Sequence, residues 1–263
     1  MDLETVNLSR RGGELRIELA RPEAMNAWNT QLGEDLLAAV ELAAGDDSVR
    51  AVVVTGAGRA FSSGADLKAG FDATPDGHPD VQTALTERYH PIITGLRRLP
   101  KPVLAAVNGP AVGIGCSLAL AADLVVARES AYFLLAFVNI GLVPDGGSSL
   151  FVPERVGLAR ASEMAMLGER IPARQALEWG LINRVTTDDA FHAEVDGLAQ
   201  RLAGGPTRAY AGAKRQLNEW LFERMDAQLE LEASIQQEAA ASGDFAEGVA
   251  AFLQKRPPAF EGR

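Results

Sequence analysis

The stretch Pro102-Val-Leu-Ala-Ala-Val-Asn-Gly-Pro-Ala-Val-Gly-Ile-Gly-Cys116 decides the fold. Val103 to Val107 is an unbroken apolar run of strand length, which reads as a short buried strand. Asn108, Gly109 and Pro110 end it, and a helix is expected to start near Gly113 to Gly115. A loop that enters a helix leaves its first N–H groups without intrahelical partners, with the positive end of the helix dipole behind them. Glycine also lets a ligand approach such a backbone closely. Two readings follow for these glycines: a tight strand-to-helix turn with no ligand, or a donor cluster for a developing negative charge.

Pro102 to Ala122 carries no charge and is long enough to cross a bilayer. Asn108, Pro110 and the three glycines suit a strand, a loop and a helix start instead, so the membrane reading is rejected. Outward from this stretch, Val52-Val-Val-Thr55, closed by Gly56 and Gly58, and Leu124-Val-Val-Ala127 repeat the buried-strand theme. Helical or loop material separates the strands, which indicates α/β layering. Thr5 to Ser9 and Leu15 to Ala20 alternate with period two around Arg11-Gly12-Gly13, the pattern of a hairpin. Thr30 to Ala44 has helical spacing, with Leu32, Leu36, Leu37 and Val40 on one face, Thr30 as the expected N-cap and Gly45 as the stop.

Lys68 to Pro91 is rich in Asp, Gly, Pro and Thr before it turns helical, and is expected to form a mobile lid or pocket wall. From about Pro206 the composition shifts to Ala, Glu, Gln and Leu, with Leu217, Leu221, Met225, Leu229 and Leu231 as an apolar stripe that packs against something.

The chain has 263 residues, 47% hydrophobic and 23% charged, enough for a sizeable core. Its net charge of −10 disfavours nucleic acid, because an acidic surface repels phosphate backbones. One cysteine, Cys116, excludes an intrachain disulfide, and the three histidines, His78, His90 and His192, share no metal-ligand spacing. A reducing cytoplasm fits both facts, and no signal peptide is evident at the start.

Four ordered segments carry a resemblance. They are Arg21-Pro-Glu-Ala-Met-Asn-Ala27, Gly56-Ala-Gly-Arg-Ala-Phe-Ser-Ser-Gly-Ala-Asp-Leu-Lys68, Pro102 to Cys116, and Ile140-Gly-Leu-Val-Pro-Asp-Gly-Gly147, followed by a tail from Phe252 through Phe260. Together they resemble the enoyl-CoA hydratase/isomerase (crotonase) family over nearly the whole chain. The resemblance implies a crotonase-type α/β spiral of repeated ββα units over residues 1–200. It also implies a C-terminal helical segment over 201–263 that supports homotrimers, often stacked as hexamers. The implied ligand is an acyl-CoA thioester, with coenzyme A as part of the substrate and neither further cofactor nor metal.

By the same resemblance, the N–H groups of Ala65 and Ile114 bind the thioester oxygen. Coenzyme A would contact Ala24, Ser63, Asp66 and Leu67, with Lys68, Lys255 and Arg256 near its phosphates. Solvated surface charge is the alternative for those three cations. Family hydratases use two glutamates, and here Ser117 and Phe137 stand at those positions. Neither is a carboxylate, so hydration in the family's manner is disfavoured. Asp145 instead matches the single catalytic acid of the family's isomerases, with the close local likeness to 1,2-epoxyphenylacetyl-CoA isomerase-like and Δ3,Δ2-enoyl-CoA isomerase-like members. The residues alone leave a second role open for Asp145, an N-cap after Pro144. The reading is an enoyl-CoA isomerase, with a hydratase or another crotonase chemistry, or a non-catalytic acyl-CoA binder, as alternatives.

Other candidates are weaker. Gly115-Cys-Ser-Leu-Ala119 imitates a nucleophile elbow but lacks its last glycine and any placed histidine. Cys116 is expected to be a buried, inert thiol. His90 beside Tyr89 is a candidate for the acyl pocket or a structural histidine. Tyr132, Phe133 and Phe137 are candidates for its apolar walls or for core.

Overall fold

Residues 3–263 are described by the computed structural model of the chain. The chain opens with β1 (Val6–Arg11), β2 (Glu14–Leu19), α1 (Thr30–Gly45), β3 (Ala51–Gly56), α2 (Val81–Ala84) and α3 (His90–Arg98). It continues through β4 (Val103–Val107), β5 (Ala111–Val112), α4 (Ile114–Ala121), β6 (Leu124–Arg128), β7 (Tyr132–Leu134) and α5 (Ser148–Leu167). β8 (Ile171–Pro172), α6 (Ala173–Glu178), β9 (Arg184–Thr186), α7 (Phe191–Gly204), α8 (Thr207–Leu221), α9 (Met225–Ala240) and α10 (Gly243–Gln254) complete it.

The main sheet has the order β1-β2-β3-β4-β6-β9 and is parallel except for the β1–β2 hairpin. Its central strands are apolar at consecutive positions because both faces are covered. Val52, Val54, Ala105, Val107 and Val125 enter the main core beneath α1, α3 and α4, while Val53, Leu104, Ala106 and Val126 meet Phe191, Val195 and Leu198 of α7. A smaller sheet, β5-β7-β8, stands beside it.

The hairpin, the three buried strands and the helix start at Ile114 agree with the sequence reading. The cap of α1 is one residue earlier than expected. Asn29, in extended backbone, accepts from the Leu32 N–H at 2.9 Å and so takes the N-cap role from Thr30. The stripe of the C-terminal helices divides: Met225 and Leu229 are buried, whereas Leu217 and Leu231 are exposed together with Trp220. α9 packs on α2, α5 and α10, and α10 packs on the turn at 136–140. The C-terminal helices therefore fold back over the core of their own chain. No helix among the described residues is long and apolar enough to cross a membrane.

Candidate active site

The four motifs meet because their loops hydrogen-bond to one another. Asn26, at φ 55°, accepts from the Arg21 N–H at 2.9 Å and donates to the Ala57 and Ala60 carbonyls at 2.9 and 2.8 Å. The Phe61 and Ser62 N–H groups donate to the Pro110 carbonyl, and the Val112 N–H donates to the Ser62 carbonyl at 2.9 Å. Arg21 pairs with the Asp66 carboxylate at 3.0 Å. These contacts bring the loop at 61–68 against the entry of α4.

Gly113 is the N-cap of α4 at φ 54° and ψ −128°, a conformation that L side chains rarely adopt. A Cβ on it would stand 3.8 Å from the Gly64 Cα, so the Gly64–Ala65 and Gly113–Ile114 peptides are neighbours. Neither the Ala65 nor the Ile114 N–H donates to a protein acceptor among the described residues. The Ile114 N–H is the first of α4, with the positive end of the helix behind it.

Both donors line a cavity of about 350 Å³ whose other walls include Leu67, Phe71, Tyr89, Phe137, Leu142 and Asp145. Phe137 contributes an apolar wall. Ser117 is buried, and its Oγ donates to the Asp145 carbonyl at 2.7 Å.

Asp145 sits in the loop before α5, 5% exposed. It is not an N-cap: Gly147 holds that place and no side chain of the loop caps the helix. Glu232 of α9 does so from outside, accepting from the Gly147 and Ser149 N–H groups at 2.8 and 3.2 Å. The Asp145 Oδ2 accepts from Gln236 Nε2 at 2.7 Å, and the buried Oδ1 has no partner among the described residues. Burial raises the Asp145 carboxyl to about 8, with the Gln236 hydrogen bond opposing the rise and the Glu232 charge adding to it. Glu232 is itself raised to about 7 by burial, against the hydrogen bonds it accepts.

The coenzyme A candidates divide. Ser63, Leu67 and Arg256 line the cavity, and Ala24 stands behind it with its carbonyl 3.3 Å from Ser63 Oγ. Asp66 is engaged by Arg21, and Arg256 forks the Glu247 carboxylate. Lys68 and Lys255 are exposed. His90 does not line the cavity: it is buried, and burial lowers it to about 4. Its neighbour Tyr89 lines the wall instead. Phe133 is core, and Tyr132 lies under Arg170, 4.7 Å from ring centroid to guanidinium carbon. The Cys116 thiol is buried and raised to about 12, which leaves it inert.

Gln236 and Glu232, which hold the Asp145 loop, and Tyr89, which lines the cavity, are positions the sequence reading missed or passed over. Glu232 and Gln236 share a face of α9 with buried Leu229, Ala233 and Ala240, and polar residues at apolar spacing are a signal that could have found them. A second cavity, about 580 Å³, lies between α3 and α8, but its buried cations are occupied. Lys214 Nζ holds the Leu96 carbonyl and Asp123, and Arg97 holds the Ala121 carbonyl and Asp123.

Two free peptide N–H groups and one half-committed carboxyl in an apolar cavity form an α/β site equipped to polarise a carbonyl and move a proton beside it. The family model described as Enoyl-CoA hydratase/isomerase matches residues 10–263, and the chain belongs to that family. It is 45% identical over its whole length, and the whole of the other chain, to a Rhodobacter capsulatus protein named "Probable enoyl-CoA hydratase". It is 40% identical to the 1,2-epoxyphenylacetyl-CoA isomerase of Escherichia coli, covering 95% of this chain and 96% of that one. The crystal structure of an enoyl-CoA hydratase from Mycobacterium avium subsp. paratuberculosis superimposes with a TM-score of 0.90 at 38% identity, covering 99% and 100% of the two chains. The crotonase fold expected from the motifs is therefore the fold of this chain.

Proposed function

We propose that the chain moves a double bond within an acyl-CoA thioester. The N–H groups of Ala65 and Ile114 hold the thioester oxygen, and Asp145 takes the C2 proton and returns it at C4. The dienolate between the two steps carries its charge on the held oxygen, where two aimed dipoles favour it. The observation that carries the reading is the lone carboxyl: among the described residues that line the apolar cavity, Asp145 is the one carboxyl, and its Oδ1 has no partner. By the family resemblance, Ser117 and Phe137 occupy the two positions that hydration would need as glutamates. A carboxyl raised to about 8 gives up and regains a proton readily near neutral pH.

Ser63 and Leu67, with Ala24 behind them, are the proposed contacts for the adenine and pantetheine of coenzyme A. Asp66 supports that loop through Arg21, and Lys68, Lys255 and Arg256 are the proposed phosphate partners. Exposed Leu158, Met166, Leu167 and Trp220 support a homotrimer or a hexamer of two trimers. Coenzyme A enters as part of the substrate, and a cytoplasmic enzyme is proposed.

The relative named as a hydratase supports a second reading, in which water held by Asp145 adds to a 2-enoyl-CoA. Offering 3-enoyl-CoA and 2-enoyl-CoA to wild type and Asp145→Ala separates the two. Isomerase turnover unchanged in Asp145→Ala overturns the proposal. Hydration well above isomerisation in wild type replaces it with the second reading.

A further inference from the structure

Residues 228, 232 and 236 of α9 recur at intervals of four and so share one face of the helix. All three meet the segment 143–149. Gln228 Nε2 donates to Ser149 Oγ at 2.9 Å, Glu232 accepts from the Gly147 and Ser149 N–H groups, and Gln236 reaches the start of the loop. There, Gln236 Oε1 accepts from the Val143 N–H at 3.0 Å while Nε2 donates to Asp145 Oδ2 at 2.7 Å. The next residue, Gln237, holds the opposite wall: it accepts from the Val81 and Gln82 N–H groups at 3.0 and 3.1 Å and donates to the Pro79 carbonyl.

The Gln236 amide has no freedom to flip. A main-chain N–H only donates, so Oε1 must face Val143, and the two Nε2 protons are left for Asp145. Asp145 enters no ion pair among the described residues, and the titratable groups bearing on it are Glu232 from α9 and Tyr89 from the turn before α3. The amide is then the one group within hydrogen-bond distance that favours the charged carboxylate.

We propose that Gln236 is a positioning residue for Asp145: its amide commits Oδ2 to the protein and leaves Oδ1 as the one oxygen that meets the acyl group. The inference rests on the reading of Asp145 as the proton-transfer group. It makes α9 part of the site in the same chain, as the strut that registers the carboxylate against the cavity.

Two variants separate positioning from mere loop support. Gln236→Met removes both hydrogen bonds. Gln236→Glu keeps an acceptor for the Val143 N–H and replaces the donor by a second carboxyl. The ionisation of Asp145 is followed by difference infrared spectroscopy against pH, with Asp145→Asn as the blank, alongside kcat and KM on 3-enoyl-CoA. In Gln236→Met the Asp145 midpoint is expected to rise by about one pH unit, because a hydrogen bond to the ionised form is lost. With it kcat at pH 7 falls about tenfold, while KM stays within about threefold. In Gln236→Glu the carboxyl pair loses its last proton at least as late, since like charges resist sharing the site.

A midpoint unmoved in both variants overturns the inference, as does wild-type behaviour of Gln236→Glu beside an impaired Gln236→Met. The infrared midpoint needs no turnover. A shifted midpoint in a protein that never isomerises 3-enoyl-CoA would keep the positioning role and remove the isomerase reading.

Discussion

The Ser117 hydroxyl donates to the main-chain carbonyl of Asp145 at 2.7 Å, which ties the first turn of α4 to the loop that carries the carboxyl. The same turn supplies the Ile114 N–H. Ser117 is therefore a strut between the entry of α4 and the loop of Asp145.

Ser117→Ala removes one neutral hydrogen bond. The Asp145 carbonyl keeps its bonds from Ser148 N and Oγ, at 3.1 and 2.8 Å, so the stability cost should be only about 1 kcal/mol. The expected kinetic effect is a several-fold fall in kcat with little change in KM. Denaturant unfolding and steady-state kinetics together check this; unchanged kcat would mean that the strut is idle.

Gly146 has φ 61°, and a Cβ there would stand 2.5 Å from Ile114 Cδ1 and 2.9 Å from Ser117 Cβ. Gly146→Ala is expected to cost about 2–4 kcal/mol, from backbone strain and overpacking together. Because the clash falls on Ile114, activity should fall even at temperatures where the variant is fully folded. A wild-type melting curve with wild-type activity would show that the loop absorbs the methyl group freely.

In the proposed reaction, proton abstraction needs the Asp145 carboxylate. With its carboxyl raised to about 8, kcat/KM for a 3-enoyl-CoA should climb with pH and level off above that value. A pH–rate profile already flat from pH 5 would contradict the assignment.

The same raised carboxyl makes stability depend on pH. Between the ordinary 3.8 and about 8, the folded chain holds a proton that the unfolded chain has released. The stabilisation is complete below about 4 and is lost as pH rises through about 8. Asp145→Asn keeps an acceptor for Gln236 without the charge. It should match wild type near pH 4 and exceed it by a margin that grows as pH rises towards 8, by at most about 1.4 kcal/mol per pH unit. Thermal melts of both proteins across that range test the sign.

The neighbours Tyr89 and His90 show where local reading stops. Tyr89 ends a π-helical turn, Leu85–Tyr89, and His90 begins α3, so one residue faces the cavity and the next is buried outside it. Both residue types suit a pocket, and only the winding of the turn selects between them. Likewise Asn29 and Thr30 are both capable caps, and the extended backbone at Asn29, φ −109°, makes the choice.

The sequence by itself determined what is local. The apolar run at 103–107 and the glycine-rich entry to α4 follow from short-range sterics and hydropathy, and the resemblance to the family marked 117 and 137 as positions without a glutamate. Only the tertiary structure decided the state of Asp145, because its partner Gln236 lies 91 residues away on α9. A carboxyl's ionisation depends on burial and on the groups that reach it, and both are set when the C-terminal helices close over the cavity.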